Sequence, residues 1–203
     1  MLQPKTIGQR DYMQSIKDNK LTICTGPAGT GKTIIAAAMA VKYVKEGLYN
    51  DIVIVRPAVT ACDEEIGFLP GDVDEKMGPF MLPVIHNIGK VLKQSEFNQF
   101  IEFKVKIMPL AFMRGITLDN CVVILDEAQN TQPSQMKMFL TRLGENCKAI
   151  VEGDEDQTDI EFKNGLEDCV DRLSNMEDVG IIRMDNSDIV RSTFVSQVLQ
   201  RYK

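Results

Sequence analysis

Eight residues constrain this chain more than any others: Gly26-Pro27-Ala28-Gly29-Thr30-Gly31-Lys32-Thr33. An apolar run, Leu21 to Thr25, precedes them, and an alanine-rich stretch with helical patterning follows. Glycines at the first and sixth positions let the backbone wrap tightly, so that its N–H groups and the positive end of the following helix point inward. A turn of this kind cradles phosphate oxygens. Lys32 is placed to reach the β- and γ-phosphates of a nucleoside triphosphate, and the Thr33 hydroxyl to hold Mg²⁺. The turn needs a strand before it and a helix after it, which points to an α/β fold of the P-loop NTPase type.

The rest of the chain agrees with that architecture. Short apolar runs at Leu21 to Thr25, Ile52 to Arg56, Lys104 to Met108, Val122 to Leu125, Ala149 to Val151 and Gly180 to Met184 read as strands. They are mostly continuous Val/Ile/Leu, as in a parallel sheet covered on both faces. Helical patterns at Thr6 to Asp18, Lys32 to Glu46, Pro133 to Leu143, Phe162 to Leu173 and Asp188 to Tyr202 alternate with them. Residues 57–103 interrupt the rhythm with four prolines and a helical stretch at Val84 to Val91. This insertion after the second strand is long for a connection. It is either a substrate-contacting element or a cap over the sheet. Residues 1–203 read as one domain, because nothing resembles a linker between two cores.

Two further patterns fall at strand ends, where ligands bind in parallel α/β sheets. Val122-Val123-Ile124-Leu125 runs into Asp126-Glu127. Asp126 is the candidate for the Mg²⁺ shell and Glu127 for orienting or deprotonating an attacking water. Acids after a strand also cap helices, but a phosphate-binding turn elsewhere in the chain gives this pair a metal to serve. Gly153-Asp154-Glu155-Asp156-Gln157 follows another apolar run. Gln157 is a candidate γ-phosphate sensor, the alternative being an ordinary acidic turn.

Charge narrows the partners only partly. The net charge of −6 argues against a uniformly basic nucleic-acid coat. Residues 86–118 nevertheless carry five basic side chains (Lys90, Lys93, Lys104, Lys106, Arg114) against two acids, whereas residues 145–188 carry fourteen acids against four basic residues. The five cysteines are odd in number and widely spaced, with no C-x-x-C pair, so a disulfide framework and a zinc site both fit poorly. No signal-type or membrane-spanning apolar run is evident, and a soluble cytoplasmic protein is expected.

The motifs taken together carry a resemblance. GPAGTGKT at Gly26 to Thr33 is joined by GFLPGD at Gly67 to Asp72, AFMRG at Ala111 to Gly115 and ILDEAQN at Ile124 to Asn130. QMKMFLTRLG at Gln135 to Gly144, GDEDQ at Gly153 to Gln157 and DIVR at Asp188 to Arg191 complete the set. In order and spacing these resemble the PhoH family of phosphate-starvation-inducible-type ATPases related to superfamily 1 helicases. The resemblance implies a RecA-like sheet flanked by helices, ATP hydrolysis with Mg²⁺, and coupling to RNA or single-stranded DNA in some relatives. It implies that Gln9 reads adenine, a helix-surface glutamine being the alternative, and that Arg191 stabilises transition-state charge, with Arg142 and Arg114 as weaker candidates. His86 stands where an acid is expected, and Ile116 where relatives often carry an arginine.

Helicases of the related superfamily use two RecA-like domains, so one domain implies a homo-oligomer, such as a hexameric ring, with an arginine supplied between subunits. Two rival functions remain at this level. One is a small-molecule P-loop kinase, disfavoured because Asp126-Glu127 suits water as nucleophile. The other is a non-catalytic nucleotide-dependent switch, disfavoured because Lys32, Thr33, Asp126 and Glu127 are all intact.

Overall fold

Six strands pair side by side in one wholly parallel sheet of order β3-β2-β4-β5-β1-β6. The structure is a computed structural model and describes residues 2–57, 73–155, 157–158, 163–190 and 201. Its strands are β1 Leu21–Thr25, β2 Asp51–Arg56, β3 Val105–Pro109, β4 Cys121–Leu125, β5 Lys148–Gly153 and β6 Val179–Arg183. Its helices are α1 Ile7–Asp18, α2 Lys32–Lys45, α3 Val73–Val91, α4 Gln94–Lys104, α5 Pro133–Leu140 and α6 Gly165–Leu173. The expected RecA-like sheet is present, each strand within a residue or two of its apolar run.

Alternation along the buried strands splits the core in two. Ile52, Ile54, Val122, Ile124 and Ile150 face α1, α2, α3 and α4, where Tyr12, Ile35, Met39, Val84 and Ile88 pack against them. Val53, Val55, Val123, Leu125, Ala149 and Val151 face α5 and α6, meeting Met136, Phe139, Leu166 and Val170. Successive side chains on a strand point to opposite faces. Both faces are therefore dry, which explains continuous apolar runs where a half-exposed sheet would alternate.

Several boundaries differ from expectation. α3 starts at Val73 rather than Val84, with Pro79 and Pro83 inside it. Proline punctuation suggested a break, but Val84 and Ile88 are wholly buried in the core and the helix continues through. α4 was not anticipated, although Phe97, Phe100 and Ile101 sit at helical spacing and pack on the first core. The insertion thus contains two helices; its residues 58–72, including the GFLPGD motif, lie outside the described residues. Asp188 does not begin a helix. It closes a short 3₁₀ turn, Asn186–Asp188, through a reciprocal cap with Asp185. Nearly all of the helix expected beyond it lies outside the described residues.

Candidate functional site

The loop after β1 is held open by backbone geometry. Gly26, Gly29 and Gly31 have φ of 142°, 89° and 90°. At Gly26 a Cβ would lie 2.4 Å from the Met184 carbonyl oxygen, so no side chain fits there. Gly31 occupies the N-cap of α2 in a left-handed conformation, and no side chain among the described residues caps that helix. Its first N–H groups therefore lack side-chain acceptors, as an anion site requires. Lys32 Nζ folds back onto the carbonyl oxygens of Gly26 and Pro27, the latter at 3.1 Å. Thr30 is fully buried and donates from its hydroxyl to Pro27 O at 2.9 Å.

Strand register assembles the acids. Leu125 of β4 pairs with Val55 of β2 on one side and Val151 of β5 on the other. The next residues, Arg56, Asp126 and Glu152, consequently form a row across the carboxyl edge of the sheet. Arg56 Nε donates to Asp126 Oδ2 at 2.9 Å, and its Nη2 donates to the same oxygen. Nη2 also lies 3.6 Å from Glu127 Oε1. Glu127 takes φ 57° and ψ 40°, left-handed values costly for a residue with a side chain. Its side chain is 44% exposed. The turn is stabilised by Gln129, almost wholly buried, whose Nε2 donates to Glu127 Oε2 at 2.7 Å and to Gln157 O at 3.3 Å.

Asp154 joins the turn after β5 to the phosphate loop. Its Oδ2 accepts from Ala28 N at 3.1 Å and from Gln157 Nε2 at 2.6 Å, while Asp154 N donates to Gln129 Oε1. Ala28, Gly29, Gly31, Lys32, Thr33, Asp126, Glu127, Asp154 and Gln157 share a cleft of about 290 Å³, with Asn87 of α3 on its rim. The structure thus brings together the loop, the two acids and the glutamine picked out in the sequence.

Glu152 lies beneath them with no exposure. Burial raises its pKa well above the usual carboxylate range, and the Asp126 carboxylate reinforces the shift. Tyr12 donates to Oε2 across 3.4 Å, while Oε1 has no hydrogen-bond partner among the described residues. The Thr33 hydroxyl and the Asp126 carboxylate, which share the cleft, suit a hard cation that would keep water and phosphate oxygens as most of its ligands. Among the described residues no group of three or more His, Cys, Asp or Glu is arranged to hold a metal by itself.

Gln9 is not a surface residue: it is 6% exposed. Its Nε2 donates to Thr30 O at 2.8 Å and its Oε1 accepts from Lys5 N at 2.8 Å. Both amide ends thus tie the N-terminal segment to the phosphate loop. Beside it a second cleft of about 510 Å³, lined by Leu2, Ile34, Ile35, Val91 and Val190 among others, adjoins Gly29 and Gly31.

The remaining basic candidates are scattered. Lys104 and Lys106 bond Asn50 O and Asp51 at the amino edge of the sheet. Arg114 is exposed beyond the carboxyl end of β3, following a turn on which Phe112 is 53% exposed. The five basic residues are therefore not one patch. Arg142 lies near the amino edge, its carbonyl accepting from Leu118 N. Arg191 lies outside the described residues, although Val190 N donates to Gly29 O at 2.9 Å.

Similarity to known proteins accords with this geometry. A family model described as "PhoH-like protein" matches residues 1–203. The chain belongs to the PhoH-like family. It is 44% identical over 201 residues to a PhoH-like protein of Bacillus subtilis, covering 98% of this chain and 63% of that one. It is also 44% identical over 200 residues to Protein PhoH of Escherichia coli, covering 96% and 56%. The chain thus spans about three fifths of the length of these PhoH relatives. Among solved structures, the large terminase of a thermophilic bacteriophage superposes with a TM-score of 0.61 at 14% identity, covering 99% of this chain and 51% of that one. The same terminase in complex with ADP gives 0.57 at 14% identity, covering 98% and 50%. At such identity the likeness speaks for the P-loop fold.

Arg56, Gln129 and Glu152 are neighbours of the candidate acids that sequence reasoning missed. Two of them obey the rule that singled out Asp126, a charged residue at the carboxyl end of an apolar strand. Only register shows that all three strand ends meet.

Proposed function

We propose that this PhoH-like chain binds ATP with Mg²⁺ and cleaves the γ-phosphate by attack of water. The observation that carries the reading is the convergence of Lys32, Thr33, Asp126, Glu127 and Gln157 on one cleft beside uncapped helix N–H groups. Lys32 leaves the carbonyls of Gly26 and Pro27 for the β- and γ-phosphates. Thr33 and Asp126 hold Mg²⁺, which neutralises phosphate charge when bound. Glu127, set by its left-handed turn and by Gln129, orients water and accepts its proton. Gln157 contacts the γ-phosphate, and its link to Asp154 carries loss of that group back to the loop at Ala28. The apolar cleft beside Gln9 receives the base. Gln9 meets adenine only if it releases Lys5 or Thr30; otherwise it shapes the pocket without reading the base.

The reading extends to a cytoplasmic homo-oligomer, with a six-membered ring as one arrangement, that couples hydrolysis to RNA or single-stranded DNA. Exposed Arg114 and Phe112 beyond β3 support a strand-binding surface on the carboxyl edge, through phosphate contact and stacking. Arg191 follows Val190, which lies against the phosphate loop, and supplies a transition-state cation within or between subunits. Among the described residues no helix is long and apolar enough to cross a membrane.

The test is steady-state ATP hydrolysis with and without single-stranded RNA or DNA at several salt concentrations, alongside light scattering. Mg²⁺-dependent turnover that rises with nucleic acid, with the stimulation weakening as salt increases, supports the whole reading. Turnover indifferent to nucleic acid favours the switch, and phosphate transfer to a small acceptor favours the kinase.

A further inference from the structure

Arg56 occupies the place of a rival to the metal. It is the last residue of β2, and register sets it beside Asp126, the carboxylate assigned above to Mg²⁺. Two of its nitrogens donate to Asp126 Oδ2. The other oxygen, Oδ1, accepts from Glu127 N at 3.1 Å. Both oxygens of Asp126 are thus engaged, and the pair is largely buried, with side chains 13% and 5% exposed. A guanidinium and a hydrated dication on one buried carboxylate repel each other strongly, because little water screens them.

We propose that Arg56 is the resident counter-cation of the metal site, exchanged for Mg²⁺ when metal and nucleotide bind. It balances Asp126, just as Lys32 rests on the carbonyls of its own loop. Glu127 Oε1, 3.6 Å from Nη2, is the acceptor to which the guanidinium moves. Metal arrival therefore changes the surroundings of the base as well as of the phosphate. Arg56 is a positioning residue in this scheme: it acts through Asp126 and Glu127. The inference rests on the Mg²⁺ site proposed above, and its test separates the two.

The competing account, in which Arg56 is a clamp that holds Asp126 ready for metal, predicts the opposite sign. Fluorescent ADP binding is titrated with Mg²⁺ for wild type, Arg56→Gln and Arg56→Lys. Removing the competing charge should lower the Mg²⁺ concentration for half-maximal binding by about fivefold or more in Arg56→Gln. Arg56→Lys should stay near wild type. An Mg²⁺ requirement unchanged or increased in Arg56→Gln overturns the exchange and leaves the clamp. Wild-type ADP binding indifferent to Mg²⁺ would instead bring down the metal site itself, and the exchange with it. Should Arg56→Gln fail to fold, the Arg56 Nε–H resonance of wild type decides between exchange and clamp. It should move on adding Mg²⁺ and ADP together, and a fixed resonance under saturating ligand overturns the proposal.

Discussion

At the amino edge of the sheet, Lys148 and Lys106 are matched to partners that no ligand needs, whereas at the carboxyl edge Lys32 and Arg56 are matched to groups that a nucleotide and its metal would claim. Lys148 shows the first arrangement. Its ammonium donates to the carbonyls of Ile16 and Asn19, the latter at 2.6 Å, tying the end of α1 to the start of β5. Burial lowers its pKa, and those carbonyls offset part of the cost of keeping a cation there. Lys106 pairs with Asp51 at 2.6 Å. Cys121 and Cys147 face each other, free thiols with sulfurs 3.8 Å apart. Across the sheet Lys32 rests on loop carbonyls, Arg56 on Asp126, and Glu152 Oε1 on no described group. The same strands end in stability on one side and in readiness to rearrange on the other.

Substitutions that separate rate from stability test that contrast. Glu127→Gln should reduce ATP turnover by about 10²- to 10⁴-fold, since the amide cannot accept the proton of water. Nucleotide binding should persist, and parallel loss of binding in calorimetry would reassign Glu127 to the metal shell. Lys32→Ala should slow turnover by about 10²- to 10³-fold, as when one preorganised donor is removed. It should also weaken triphosphate binding, and unchanged kinetics in a folded variant would remove the phosphate site from this loop.

Changes at the amino edge should behave in the opposite way. Lys148→Met strands carbonyls at the end of α1 and should cost about 1–3 kcal/mol of stability by denaturant titration. Turnover per folded molecule should stay unchanged, and a rate defect in fully folded protein would show that the two edges communicate. Lys106→Ala breaks only an exposed pair and should cost less than about 1 kcal/mol. A larger loss would mean that β3 is held at its edge more by charge than by packing.

What could be read from the sequence followed from how local each cause is. Gly26 to Thr33 specify a turn through their own φ angles, and β1 and β4 through uninterrupted apolar runs, so these needed no tertiary knowledge. The position of Gln157 on the cleft was legible because a glycine turn after a strand is also local. α4 was missed although Phe97, Phe100 and Ile101 mark its buried side, because the same residues suit any apolar cluster. Phe103 shows the limit of that signal: it shares the spacing and is 64% exposed. Arg56, Gln129 and Glu152 could not be placed, because their partners are set by strand register and by the left-handed turn at Glu127, which no nearby residue announces. The basic stretch from Lys90 to Arg114 failed for a related reason. β3 carries the chain from one edge of the sheet to the other, so neighbours in sequence part company in space.

The interposition of β5 between β1 and β4 has a consequence for size. Neighbouring strands lie about 4.8 Å apart, so the strand that leads into the phosphate loop and the strand that ends in Asp126 stand about 9.5 Å apart. Thr33, which follows the loop after β1, and Asp126, at the end of β4, are the residues that would hold Mg²⁺, and they would therefore do so from strands that are not neighbours. Because backbone hydrogen bonds through β5 hold this calibre, side-chain changes at either jaw can alter what is gripped and how tightly, but not how wide the grip is set.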